Sequence, residues 1–184
     1  MPRTVGDRLR LLYVGRMHDA KGVDVVLRAL DDMGDAGPFS LELLGSGPHE
    51  AEWRAAFADR PWVHFSGHVS RQHVADRMVQ SDLLLVPSIW NENSPGVVIQ
   101  ALGLGLPVMA SDKGGIPELV QHQVNGLLVE PGNVAAWKQA LAAVIANPAL
   151  LEPLRLAASA DAQRFAKPAL AQEMLTFFRR IMEG

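Results

Sequence analysis

Six short apolar runs punctuate the first 131 residues, and an amphipathic or polar stretch follows each. The runs are LRLLYVG (residues 9–15), SLELLG (40–45), WVHFSG (62–67), DLLLVP (82–87), PVMAS (107–111) and GLLVEP (126–131). Runs this apolar, with no alternation of polar positions, suit strands covered on both faces, as in a parallel sheet. The intervening patterns predict helices near 21–33, 49–58, 71–78 and 95–104, and Pro117 opens a short fifth one. The βαβα order calls for right-handed crossovers and a doubly wound, Rossmann-like sheet of six mainly parallel strands.

Beyond residue 131 the pattern is helical. Asn133 is placed to cap a helix reaching about Ala146, and Pro148 and Pro168 sit near later helix starts. A last helix over 166–184 carries Leu170, Met174, Phe177, Phe178, Ile181 and Met182 along one stripe. That stripe either packs on its own domain or belongs partly to a neighbouring lobe. The expected organisation is a polar tail (1–8), one α/β domain (9–165) and this C-terminal amphipathic helix (166–184).

The 184 residues suffice for one such domain. A formal charge of −3 offers no general attraction to nucleic acid or anionic lipid, so phosphate recognition must come from a few placed cations. The absence of cysteine excludes disulfides, thiolate metal sites and cysteine nucleophiles. The polar start carries no signal-peptide pattern, and no stretch approaches the ~18 apolar residues of a membrane span. The expectation is a soluble, cytoplasmic protein.

Ligands of open α/β sheets bind beyond the carboxyl ends of the strands, and the unusual loops of this sequence fall there. In GRMHDAKG (15–22), Gly15 permits a tight exit from the strand. Arg16 and Lys21 flank a helix start, where an anion held between them and free backbone amides would turn an unfavourable cation–dipole contact favourable. The same two residues also read as solvated surface cations, and Asp19 is near enough to pair with either. GSGP (45–48) and SGHVS (66–70) place glycines directly after strands, signals that any turn would share.

The loop PSIWNENSPGVVIQALGLGLPV (87–108) carries more. Ser94 followed by Pro95 predicts an N-cap and a first helical residue, after which Gly96 and Val97 offer unpaired amides. Glu92 stands just ahead, placed to accept hydrogen bonds from hydroxyls. Gln100 lies one turn beyond Gly96 on the same face. A solvated Glu and a surface Gln fit the spacing equally well. SDKGGIPE (111–118) reads alike as a turn or a site.

Several chemistries find no motif. There is no D-x-D pair for a metal-clamped diphosphate, no metal-ligand histidine spacing, no G-x-G-x-x-G or P-loop, and no nucleophile-elbow setting for Ser88 or Ser94. No cofactor or metal is expected.

Taken in order, LLYVGRMHDAKGVDVVLRAL, LELLGSGP, VHFSGHVS, DLLLVPSIWNENSPGVVIQALGLGLPVMASDKGGIPELV and NGLLVEPGN resemble the C-terminal domain of the group 1 retaining glycosyltransferases of GT-B fold (carbohydrate-active family four). The resemblance covers the chain from about Leu9 to its end. It implies one lobe of a two-lobed enzyme that moves a sugar from a UDP- or GDP-sugar to a glycan, lipid-linked or small acceptor. It implies that Arg16 and Lys21 hold the donor diphosphate and stabilise the leaving group, with Glu92 on the sugar hydroxyls. Gly15, Gly45 and Gly47 would line the nucleotide cleft, with Gly67, His68 and Val69 near the base. Ser94, Pro95, Gly96 and Val97 would meet sugar and phosphate. The family's E-x7-E motif would put a second glutamate at position 100, where this chain has Gln100, so altered nucleotide binding is expected.

The resemblance further implies that the acceptor site lies in an N-terminal lobe outside this chain, so that the chain alone binds donor and turns over nothing. The full enzyme stays open to peripheral membrane association, and the C-terminal stripe to a dimer. Two other readings stand beside this one: a non-catalytic nucleotide-sugar-binding or interaction module derived from such a lobe, and a related nucleotide-sugar epimerase.

Overall fold

The computed structural model describes residues 8–34 and 38–161. The polar tail up to residue 7, the start at Pro168 and the 166–184 helix lie outside the described residues. Six strands form one sheet: β1 (Leu9–Val14), β2 (Phe39–Leu44), β3 (Val63–Gly67), β4 (Leu83–Val86), β5 (Val108–Ser111) and β6 (Gly126–Val129). Their order is β3-β2-β1-β4-β5-β6, and every neighbouring pair is parallel. The helices are α1 (Val23–Asp31), α2 (Glu50–Ala56), α3 (Arg71–Gln80), α4 (Gly96–Gly103), α5 (Ile116–Leu119), α6 (Val134–Ala146) and α7 (Leu151–Asp161). This is the doubly wound α/β fold, wholly parallel among the described residues.

The apolar runs explain the layering. Successive side chains of a strand point to opposite faces, so a strand buried on both must be apolar throughout. In β4, Leu83 and Leu85 enter one core while Leu84 and Val86 enter the other. The first core is closed by α1 and α6 through Val26, Leu27, Leu30, Trp137 and Leu141. Met78 of α3, Val98 and Leu102 of α4 and Ile116 of α5 close the second. Among the described residues no single helix is long and apolar enough to cross a membrane.

Element ends differ from the sequence reading for local reasons. Pro87, Pro107 and Pro131 fall outside the strands, as residues without an amide donor should. A 3-10 turn over Asp19–Lys21 precedes α1, and Gly22, left-handed at φ 63°, separates the two. The expected cap at Ser94 is corrected: Pro95 is itself the N-cap of α4, extended at ψ 109°, and no side chain caps the helix. That backbone angle keeps Pro95 outside the helix and leaves the Ser94 hydroxyl one residue too far back.

At the amino end of the sheet, Asp82 is fully buried. Its Oδ2 accepts from the backbone amide (2.9 Å) and Nε (3.0 Å) of Arg10, and its Oδ1 accepts from Arg10 Nη2 (3.0 Å). Arg155 Nη2 of α7 stands 3.5 Å from the same Oδ1. This carboxylate ties β1, β4 and α7 together at the end opposite the loops considered next.

Candidate functional site

The strand order reverses between β1 and β4, the place at which open α/β sheets take their ligands. The loops after these two strands are tied to each other there. The amides of Ile89 (3.0 Å) and Trp90 (3.2 Å) both donate to the Ala20 carbonyl. A Cβ on Gly22 would lie 2.1 Å from the Pro87 carbonyl oxygen, so only glycine permits this approach. From the other side the Gly115 amide donates to the Glu92 carbonyl (2.6 Å).

The loop after β2 is laced to the loop after β1 in the same way. Met17 N donates to Ser46 O (3.0 Å), and His49 N donates to Met17 O (3.3 Å). Cβ atoms on Gly45 and Gly47 would fall 1.9 Å from Gly15 O and 2.2 Å from Met17 O. The close approach that requires glycine at these two positions is to the backbone of the neighbouring loop. Gly67, at φ 69°, completes the row by accepting the Gly45 amide (2.8 Å).

The structure divides the nominated residues into two groups. Gly15, Arg16, Gly45, Gly47, His68 and Val69 line one cleft of about 470 Å³. Arg16 is exposed there, and no described residue pairs with its guanidinium. The second group gathers around the start of α4. Lys21 Nζ donates to Glu92 Oε1, and Ser88 Oγ donates to the same oxygen (3.0 Å). Just beyond, Gly96 and Val97 head α4 with amides that no described residue accepts, and nothing lies within 4 Å of a Cβ built on Gly96. Ser94 and Gln100 are exposed. Free amides, a positive helix end and one unpaired guanidinium suit an anion bearing hydroxyl-rich substituents.

Several contributors escaped the sequence reading. The buried Tyr13 donates its hydroxyl to the Arg16 carbonyl (2.9 Å) and so props the backbone that carries the cation. Burial, and secondarily the Glu92 carboxylate, hold Tyr13 above the usual tyrosine range, so the hydroxyl keeps its proton. Asp19, near enough in sequence to pair with Arg16 or Lys21, pairs with His49 Nε2 (2.9 Å), whose Nδ1 meets Glu52 (3.2 Å). The hydrogen bond to Glu52, followed by the charge of Asp19, raises the His49 pKa. The only legible signal was the i,i+3 spacing of His49 and Glu52.

A roomier groove of about 660 Å³ lies between β6, α6 and α7. It is largely aliphatic and includes Glu130 but no lysine or arginine, so its size does not make it an anion site.

Comparison with known proteins fits this geometry. The family described as glycosyl transferases group 1 matches residues 8–147. The chain is 30% identical to the amylovoran biosynthesis glycosyltransferase AmsK of Erwinia amylovora, an alignment covering 84% of this chain and 40% of that protein. It is also 30% identical to the 2-deoxystreptamine glucosyltransferase of Streptomyces kanamyceticus, over 92% and 45% respectively. The chain thus spans less than half the length of these relatives. Among solved structures, HepE of Anabaena in complex with UDP and glucose superposes with a TM-score of 0.81 at 23% identity, over 95% of this chain and 49% of that one. The likeness is one of fold: a single lobe of a two-lobed molecule. The chain belongs to the group 1 glycosyl transferases.

Proposed function

We propose that this group 1 glycosyl transferase domain is the donor-binding half of an enzyme that moves a sugar from a UDP- or GDP-sugar to a glycan, lipid-linked or small acceptor, with retention of configuration. The observation that carries the proposal is Arg16, unpaired among the described residues in a glycine-walled cleft, on the same carboxyl edge of the sheet as the open amides of α4. In this reading the nucleotide lies in the cleft lined by Gly45, Gly47, His68 and Val69. Its diphosphate bridges toward Arg16, Lys21 and the amides of Gly96 and Val97, with Ser94 and Pro95 alongside. Charge developing on the leaving diphosphate would be stabilised by fixed donors, without a metal. Glu92 accepts from hydroxyls of the sugar, and Gln100 offers the ribose one neutral acceptor where the family's glutamate would offer a charge.

HepE was solved with UDP and glucose, which supports a nucleotide-sugar ligand for a lobe of this shape. The acceptor site and turnover would belong to an N-terminal lobe of the relatives' kind, in a cytoplasmic enzyme. Titration calorimetry with UDP and GDP tests the assignment. One nucleotide should bind, and Arg16→Ala should weaken it by roughly ten- to a hundred-fold, the worth of a charge-assisted hydrogen bond of about 1.5–3 kcal/mol. Failure of both nucleotides to bind at millimolar concentration, with the upstream lobe present or absent, would end it. A second reading, a module that binds without catalysis, draws on Gln100; transferase activity of the two-lobed protein would dispose of it.

A further inference from the structure

The two cations of the site are not equivalent. Arg16 has no partner among the described residues, whereas Lys21 is neutralised by Glu92, which joins the loops after β1 and β4. The pair is only partly solvated, its side chains 36% and 18% exposed. It cannot drift apart with the loops, because the Ala20 carbonyl receives two amides from the opposite side and Gly22 abuts Pro87. Ser88 donates to the Glu92 oxygen that Lys21 also uses.

We propose that Lys21 and Glu92 form a latch exchanged by the intact donor. The inference rests on the donor-binding reading above and adds an order to it. A diphosphate meets Arg16 first, and it engages Lys21 only by drawing the ammonium away from Glu92. The carboxylate, 18% exposed and left with Ser88 alone, then lacks donors, which is unfavourable for a largely desolvated charge. Sugar hydroxyls supply those donors. A nucleoside diphosphate without its sugar must therefore break the latch unrewarded, while the sugar nucleotide replaces both halves of it. The site discriminates substrate from spent nucleotide, and reclosure of Lys21 on Glu92 after sugar transfer favours release of the diphosphate.

The direction is testable because it opposes ordinary loss of function. Calorimetric titration of the chain with UDP, UDP-glucose, GDP and GDP-glucose gives the affinities. Glu92→Gln should tighten the nucleoside diphosphate by about two- to five-fold, the scale of a partly exposed ion pair. It should also reduce the preference for the sugar nucleotide over the diphosphate. Glu92→Ala should act in the same sense and guards against a defect peculiar to one variant. Removal of a negative charge could tighten anions without any latch, so the same substitution is made alongside Lys21→Ala, where the gain should disappear. A gain that persists undiminished in that background, or diphosphate binding that is unchanged or weakened by both Glu92 variants, overturns the latch alone. A parent protein that binds none of the four ligands overturns the latch and the donor reading together.

Discussion

One substitution made at two glycines should have opposite results. Gly47 has ordinary backbone angles, so Gly47→Ala is a purely steric change. Its Cβ would sit 2.2 Å from Met17 O, 2.7 Å from Met17 C and 2.8 Å from Met17 N, all backbone atoms that no rotamer change can move. Relief requires the loops after β1 and β2 to part by roughly 1 Å, given ordinary carbon–oxygen contacts near 3.4 Å. The bonds at stake are Met17 N to Ser46 O and His49 N to Met17 O. At about 0.5–1.5 kcal/mol each, their weakening costs about 1–3 kcal/mol. The same movement displaces Arg16, so nucleotide affinity should fall by up to about ten-fold, the lower end of the worth of its charge-assisted hydrogen bond. A Cβ at Gly96 meets nothing within 4 Å, and its backbone angles are ordinary. Gly96→Ala should therefore stay within about 0.5 kcal/mol of the parent or gain slightly, since alanine favours helix. Urea denaturation gives both stabilities, and calorimetry with UDP or GDP gives both affinities. Equal stability of the two variants would refute the claim that the glycine requirement comes from loop-to-loop packing.

Three further outcomes follow from other parts of the fold. Asp82→Ala leaves Arg10 and the 14%-exposed Arg155 without their shared carboxylate and should destabilise by about 3–5 kcal/mol in urea; a loss below about 1 kcal/mol would contradict the buried tie. Gln123 is the one described non-glycine residue with positive φ, at 62°, so Gln123→Gly should raise stability by up to about 1 kcal/mol, and a lowered Tm would count against strain at that turn. Because the folded-state pKa of His49 is raised, the native state binds more protons than the unfolded chain as that residue titrates. Its contribution is complete below the ordinary histidine range of about 6.5 and fades as pH climbs through the raised value. The protonated ring faces Asp19 and Glu52, with His18 edge-on, so Tm profiles of the parent and His49→Gln should converge at high pH, whereas parallel profiles would exclude the clasp.

The sheet was legible because a parallel strand covered on both faces must be apolar at every position, a pattern no surface element shares. The six runs therefore gave the strands to within a residue or two, and their order placed each unusual loop at the carboxyl edge. Which loop touches which was not legible. Lys21 and Glu92 are 71 residues apart, and nothing in either segment names the other. Asp19 shows the same limit: sequence proximity left Arg16 and Lys21 open as partners, but the crossover brought the start of α2 to the loop, and His49 took the pairing. The glycines after β2 read equally as turn or cleft residues, and their packing on the next loop was not legible, since close approach to a ligand and to another backbone make the same demand on sequence. Asp82 was hidden as the first letter of an apolar run, although a charge there must find partners once buried.

These contacts bear on how the carboxyl edge could work. Its loops are joined mainly through backbone atoms: Ala20 with Ile89 and Trp90, Met17 with Ser46 and His49, and Glu92 with Gly115. Such joints survive most side-chain substitution, and they fix the positions from which Arg16, Lys21, Glu92 and Gln100 project. Ordering of loops on ligand binding would then cost little, and affinity would depend on a few charged side chains changing partners. Replacing the projecting residues alone would then be enough to alter donor recognition, and Gln100, standing where the E-x7-E pattern has its second glutamate, is the position at which Gln100→Glu tests this.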